Sequence, residues 1–234
     1  MIESKDNEKL KLVRKLRERK HREREGLFAT EGEDLLEAGL AAGAQPRFVL
    51  VTPDSGLEGE AVDPGLLASV SSLGSGTRAI AVWERPAVGA IAAPCVYLDG
   101  VGDPGNVGTI VRTAQALLDA TVALGPGCAD AFGPKATRAS MGSLFARPPA
   151  SVAGVEETPE PRVALLAHGG DGLDALAGAA TLCLGAERDG LRPAVVAACA
   201  ARATIPLRGG AESLNVAAAA AVACARMSEV RGHA

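Results

Sequence analysis

Five short runs at 95–98, 121–124, 163–166, 181–184 and 203–205 constrain this chain more than any other feature. Each is apolar at nearly every position, whereas a strand with one wet face alternates apolar and polar side chains. Such runs build strands buried on both faces, which means a parallel sheet covered by helices. Helical spacing occupies the intervals at 107–118 and about 135–144 and a final Ala-rich segment at 213–227. The C-terminal half therefore reads as an α/β domain around a parallel sheet.

Upstream the pattern is a helix at 7–25, a strand at 27–30, a helix at 32–42, a strand at 48–51 and weaker elements to Val82. That is a smaller α/β unit. Residues 84–94, carrying Pro86 and Pro94, read as a linker. The expected division is an N-terminal domain at 1–85, a linker at 86–94 and a second domain at 95–234. Aromatics make up only 3% of the 234 residues, so Ala, Val and Leu must do the packing.

No apolar run reaches the roughly 18 residues of a spanning helix. Residues 1–25 are charged, unlike a signal peptide, so a soluble cytoplasmic protein is expected. Cys95, Cys128, Cys183, Cys199 and Cys224 contain no C-x-x-C pair, which speaks for buried thiols against disulfides or zinc. His21, His168 and His233 are scattered, and neither Ser-His-Asp nor H-E-x-x-H spacing occurs. No metal site and no hydrolase chemistry are expected.

The net charge is −4, yet residues 1–25 hold ten Lys/Arg against six Asp/Glu, so this segment is +4 and the rest is −8. Two readings remain open: a solvated helix laced by i,i+4 pairs such as Glu18 with Arg22, or an arm that contacts phosphates.

Three loops after strands carry the chemistry. In Asp103-Pro104-Gly105-Asn106-Val107-Gly108, Asn106 suits a helix N-cap, and Arg112 follows about one and a half turns into the helix. A cation there is disfavoured by the helix dipole, a cost that an anionic partner would remove. In Leu184-Gly185-Ala186-Glu187-Arg188-Asp189-Gly190-Leu191 a carboxylate follows a glycine at a strand end. Beyond Ile205-Pro206-Leu207, Ser213 suits a cap and Asn215 falls in the first turn of the last helix. Each loop alone has an ordinary structural explanation. Their joint occurrence, each after a buried strand, is the arrangement of a ligand site in an α/β protein.

With these three segments, together with Lys135-Ala136-Thr137-Arg138-Ala139-Ser140-Met141-Gly142-Ser143-Leu144-Phe145, the chain resembles the SpoU/TrmH family of RNA ribose 2′-O-methyltransferases of the SPOUT superfamily. Residues 22–32 resemble that family's ribosomal-protein-like (L30e-like) substrate-binding domain. The resemblance implies a deep trefoil knot forming a pocket for S-adenosylmethionine, and a homodimer with its active site at the subunit interface. Unaided topology rules favour an ordinary open sheet. Carried over to this sequence, Asn106, Arg112, Glu187, Ser213 and Asn215 would be catalytic. Leu184, Gly185, Ala186, Ile205, Leu207, Ser213 and Leu214 would hold the cofactor. The expected substrate is RNA, with 23S rRNA preferred over tRNA.

The chemistry constrains Arg112 further. Neutralising an arginine at pH 7 costs roughly 7 kcal/mol, so clamping a phosphate and orienting the 2′-hydroxyl suits it better than acting as a free base. Two rival readings are a non-catalytic RNA-binding or ribosome-assembly protein on the same scaffold, and a nicotinamide dehydrogenase. The second needs a G-x-G-x-x-G turn, which Pro104 spoils.

Overall fold

The computed structural model, described here for residues 1–72 and 76–232, contains two sheets joined by the proline-bearing segment. Of the three histidines, His233 lies outside the described residues. The first half runs α1 (Glu8–Lys15), α2 (Arg19–Glu25), β1 (Leu27–Glu31), α3 (Glu33–Ala41), β2 (Pro46–Val51), β3 (Glu60–Ala61), α4 (Pro64–Val70) and β4 (Ala79–Glu84). Its sheet has the order β1-β4-β2-β3, with β4 antiparallel to both β1 and β2. Residues 79–83 of β4 are all buried, as befits a strand with neighbours on both sides.

The single helix expected at 7–25 is two. Glu18 is extended (φ −99°, ψ 134°) between α1 and α2. The physical cause is Arg22, which is only 4% exposed. Its Nε donates to Asp130 Oδ2 at 2.8 Å and its Nη1 to the Leu16 carbonyl at 2.7 Å. A continuous helix would aim Arg22 differently, and the Glu18–Arg22 pair does not form. Glu18 pairs instead with Lys20, and Arg19 with Glu23. Nor is the segment a detached arm, since Ile2, Leu10, Val13 and Leu16 are buried against the first sheet.

The second half runs β5 (Cys95–Asp99), α5 (Pro104–Leu118), β6 (Thr121–Leu124), α6 (Pro134–Ser140), α7 (Ser143–Ala146), β7 (Ala150–Ser151), β8 (Arg162–Leu166), β9 (Thr181–Gly185), α8 (Pro193–Ala197), β10 (Ala201–Thr204) and α9 (Val216–Arg231). The sheet order is β10-β8-β9-β5-β6-β7 and every pairing is parallel, as the apolar runs imply. α9 turns Val216, Ala217, Ala220, Ala223, Cys224 and Met227 inward, a stripe at helical spacing, and packs on α5. Its small side chains let the two helices approach closely.

The helix expected at 135–144 breaks at Met141 and Gly142, both in the left-handed region (φ 48° and 86°). A Cβ on Gly142 would meet the Ala38 Cβ at 2.4 Å, so the chain must turn there on glycine. The turn seats Phe145 against Trp83 (centroids 4.8 Å apart) and Phe28 (5.8 Å). Phe28 also packs on Phe132 at 5.0 Å. One apolar core, with the buried Arg22–Asp130 pair beside it, thus runs from the first sheet into the second.

Candidate active site

A parallel sheet sends all its strand-end loops to one side, and here that convergence builds the site. The loops after β8, β9 and β10 enclose a cavity of about 390 Å³, within the usual range for small-molecule sites. Leu184, Gly185, Ala186, Ile205, Leu207, Ser213 and Leu214, all named from the sequence, line it. Residues 165–168, the 187–190 hairpin, Glu212, Val216 and Ala219 complete the wall, and no sequence motif had pointed to 165–168. The wall combines aliphatic side chains with the polar or charged His168, Glu187, Arg188, Asp189, Glu212 and Ser213.

The β9 loop is a tight hairpin. The Ala186 and Gly190 backbones exchange hydrogen bonds of 2.9 and 3.1 Å, leaving Glu187, Arg188 and Asp189 at the tip. Gly185 sits directly beneath, where a Cβ would lie 2.1 Å from the Gly190 carbonyl carbon and 2.2 Å from the Leu191 nitrogen. Glycine is required there by close backbone approach.

Beside this cavity lies a more open cleft lined by Gly100, Gly102, Asp103, Asn106, residues 186–189 and Asn215. Three of the predicted catalytic residues meet in it. Asn215 caps α9, its Oδ1 accepting from the Ala217 and Ala218 amides at 2.9 and 3.3 Å. That bond directs its Nδ2 outward, where it donates to Asn106 Oδ1 at 3.2 Å. Asn106 must then turn its own Nδ2 away, and it donates to Glu187 Oε1 at 2.5 Å. Helix cap, amide and carboxylate thus form one oriented chain.

The caps themselves differ from expectation. Asp103, not Asn106, caps α5, accepting from the Gly105 and Asn106 amides at 2.7 and 3.0 Å. Pro104 is the first helical residue, where its missing N–H costs nothing. Asp103 Oδ2 also accepts from Lys135 Nζ at 2.7 Å, and this bond, with the backbone donors, holds its carboxyl below the usual range. Asn215, not Ser213, caps α9, which begins at Val216, and Ser213 instead faces the cavity.

Arg112 stands apart from the other four. It is exposed and has neither a hydrogen bond nor an ion pair among the described residues. Because α5 begins at Pro104, Arg112 lies more than two turns from the helix start, beyond the reach of the dipole invoked from the sequence. Six helical residues from Asn106 place it about 9 Å along the axis and about 120° around it. It lines neither the cavity nor the cleft.

Among the described residues no cluster of three or more His, Cys, Asp or Glu could hold a metal, and no helix is long and apolar enough to cross a membrane. The five cysteines are free, four of them buried.

An α/β domain with a ligand cavity and a polar cluster at the carboxyl ends of a parallel sheet defines the class. The chain belongs to the SpoU rRNA methylase family, whose model matches residues 93–225. An MRM3-like substrate-binding domain matches residues 7–84. The 23S rRNA (guanosine(2553)-2′-O)-methyltransferase RlmP of Bacillus subtilis is 32% identical over 94% of this chain and 96% of its own. Among solved structures, the SpoU methyltransferase AviRb of Streptomyces viridochromogenes, in complex with AdoMet, superposes with a TM-score of 0.83 at 27% identity, covering 97% of this chain and all of the other. An AdoMet-bound rRNA methyltransferase from Sinorhizobium meliloti gives a TM-score of 0.85 at 26% identity over 99% and 97% of the two chains.

Proposed function

We propose that this protein transfers a methyl group from S-adenosylmethionine to a ribose 2′-hydroxyl of 23S rRNA, working as a homodimer in the cytoplasm. The observation that carries the reading is convergence: seven positions named for the cofactor line one cavity, and Asn106, Glu187 and Asn215 meet at its side.

The residues fit the cofactor. The aliphatic part of the wall suits an adenosyl group, and backbone groups of the 185–190 and 205–214 loops are at hand to recognise its edge. When bound, S-adenosylmethionine supplies a methyl on a positively charged sulfur. The aliphatic side chains exclude water, and the Asn215–Asn106–Glu187 chain offers a fixed dipole and carboxylate for orienting the ribose. Arg112, with its planar fork, binds the neighbouring phosphate and positions the hydroxyl.

The place of Arg112 is the argument for the dimer. Its side chain is free, exposed and turned from Asn106 of its own chain, which suits a residue lent to the site of a second copy. Val222 of α9, 39% exposed, adds apolar surface for such a contact. A deep trefoil knot near the C-terminus, forming the cofactor pocket, is part of the same reading.

The division into an RNA-binding domain at 1–85, a linker at 86–94 and a catalytic domain at 95–234 is supported by the first sheet ending at Glu84 and the second beginning at Cys95. The exposed cations Arg14, Lys15 and Arg17 are then available for phosphate.

Mixed subunits test the reading. Arg112→Ala and Glu187→Ala proteins should each bind the cofactor by calorimetry, yet lose at least about a hundredfold in methyl transfer. Mixing them should restore activity, because one site of each heterodimer then has every side chain. No restoration would place Arg112 in its own chain's site. No heat with millimolar cofactor would favour the non-catalytic RNA-binding alternative.

A further inference from the structure

The hairpin carrying Glu187 is anchored at a point outside both the cavity and the cleft. Asp99 ends β5, pairs in register with Gly185 of β9 and is 2% exposed. Its carboxylate accepts from Arg192 repeatedly: the backbone N–H at 3.0 Å, Nε at 2.9 and 3.1 Å, and Nη2 at 2.6 Å. A carboxylate buried this deeply persists only when paired and hydrogen-bonded, and the guanidinium fork satisfies both of its oxygens. The Tyr97 hydroxyl lies 3.5 Å from Asp99 Oδ1, and burial, with the Asp99 charge adding to it, pushes it up to about 12, so it remains a donor.

Between Gly185 and Arg192 lies the hairpin closed by Ala186 and Gly190. Leu191, just behind it, is buried with Tyr97 and Val195. Both legs of the hairpin are thus tied to the end of β5, through Gly185 on one side and Arg192 on the other. From the same strand end the chain passes directly to Asp103, whose side chain sets the start of α5 and hence Asn106. One buried carboxylate therefore references Glu187 and Asn106 to a common point.

We propose that Asp99 and Arg192 form a positioning clasp that holds Glu187 against Asn106, so that methyl transfer depends on two side chains lying outside the cofactor cavity. The proposal rests on the reading of Glu187 as part of the active site. With the cofactor saturating, the clasp acts on the rate through Glu187, and its effect on the rate must shrink when Glu187 no longer contributes.

A double-mutant cycle tests this with the full-length protein, saturating S-adenosylmethionine and 23S rRNA under single-turnover conditions. The Arg192 side chain is 56% exposed but that of its partner Asp99 is 1% exposed, so Arg192→Gln is paired with Asp99→Asn/Arg192→Gln, which leaves no unpaired buried charge, and urea denaturation checks that both variants are folded. The expected result is a loss of about tenfold in wild-type background and less than about twofold in Glu187→Gln background. An equal loss in both backgrounds would overturn the clasp and make Arg192 an independent contact, for instance to RNA. No loss in wild-type background would overturn it as well. A Glu187→Gln protein that turns over at the wild-type rate would instead defeat the site reading, and the clasp with it.

Discussion

Replacing Gly185 by Ala probes the cofactor loop with a single methyl group. That methyl would lie 2.1 Å from the Gly190 carbonyl carbon and 2.2 Å from the Leu191 nitrogen, where ordinary contact begins at 3.4 Å. The deficit is about 1.3 Å, and both obstacles are backbone, so no side-chain rotation relieves it. The hairpin must move as a body, and it carries Glu187 as well as Ala186 and Gly190 of the cavity wall. Overpacking of this kind costs about 1–3 kcal/mol of stability. A displacement of about 1 Å at a reacting site costs on the order of a hundredfold in rate. Urea denaturation, calorimetry with S-adenosylmethionine and single-turnover methylation should therefore show a folded, mildly destabilised protein. Its cofactor affinity should fall at least about tenfold, close to 1.4 kcal/mol, and its rate should fall further. Gly172→Ala serves as the control, because Gly172 has φ −64° and nothing within 4 Å of a Cβ. It should be neutral or stabilising by a few tenths of a kcal/mol. Wild-type affinity in Gly185→Ala would show that the hairpin is not part of the cofactor wall.

Two further outcomes follow from the charged pairs. Arg22→Leu strands Asp130, whose side chain is 9% exposed, and should cost about 3–5 kcal/mol in urea denaturation. Adding Asp130→Asn should recover at least about 1 kcal/mol; no recovery would mean that the loss came from packing. Asp103 is held below its ordinary range by Lys135 and the α5 backbone, so its contribution to stability is complete above the unfolded value of about 3.9 and is lost as pH falls through the folded value. The difference in Tm between wild type and Asp103→Asn should thus stay constant from pH 7 to about pH 5 and shrink below about pH 4. A difference unchanged down to pH 3 would remove Asp103 from the acid response.

What could be read in advance follows from where the information lies. Buried parallel strands announce themselves because both faces must be apolar, and their loops must then converge, so three motifs placed at strand ends pointed to one side of the sheet, where two line the cavity and the first lines the cleft beside it. Asp99–Arg192 and Arg22–Asp130 were not legible, because the partners stand 93 and 108 positions apart and no local pattern joins them. The same distant pairing explains the break between α1 and α2, where tertiary demand on Arg22 overrides good helical periodicity. The turn at Gly142 likewise depends on Ala38, more than a hundred residues away. Caps failed for a smaller reason: Asp103 and Asn106, or Ser213 and Asn215, are both competent residues, and only the observed helix start separates them.

The central claim is transfer of a methyl group to a ribose oxygen of ribosomal RNA, and the location of the methyl decides it. Purified protein incubated with radiolabelled S-adenosylmethionine and either 23S rRNA or bulk tRNA, followed by alkaline hydrolysis, separates the possibilities, since a 2′-O-methyl blocks cleavage at its own phosphodiester. The account predicts label in an alkali-resistant dinucleotide from 23S rRNA and none from tRNA. Label recovered in mononucleotides, which would put the methyl on a base, or in tRNA alone would contradict it.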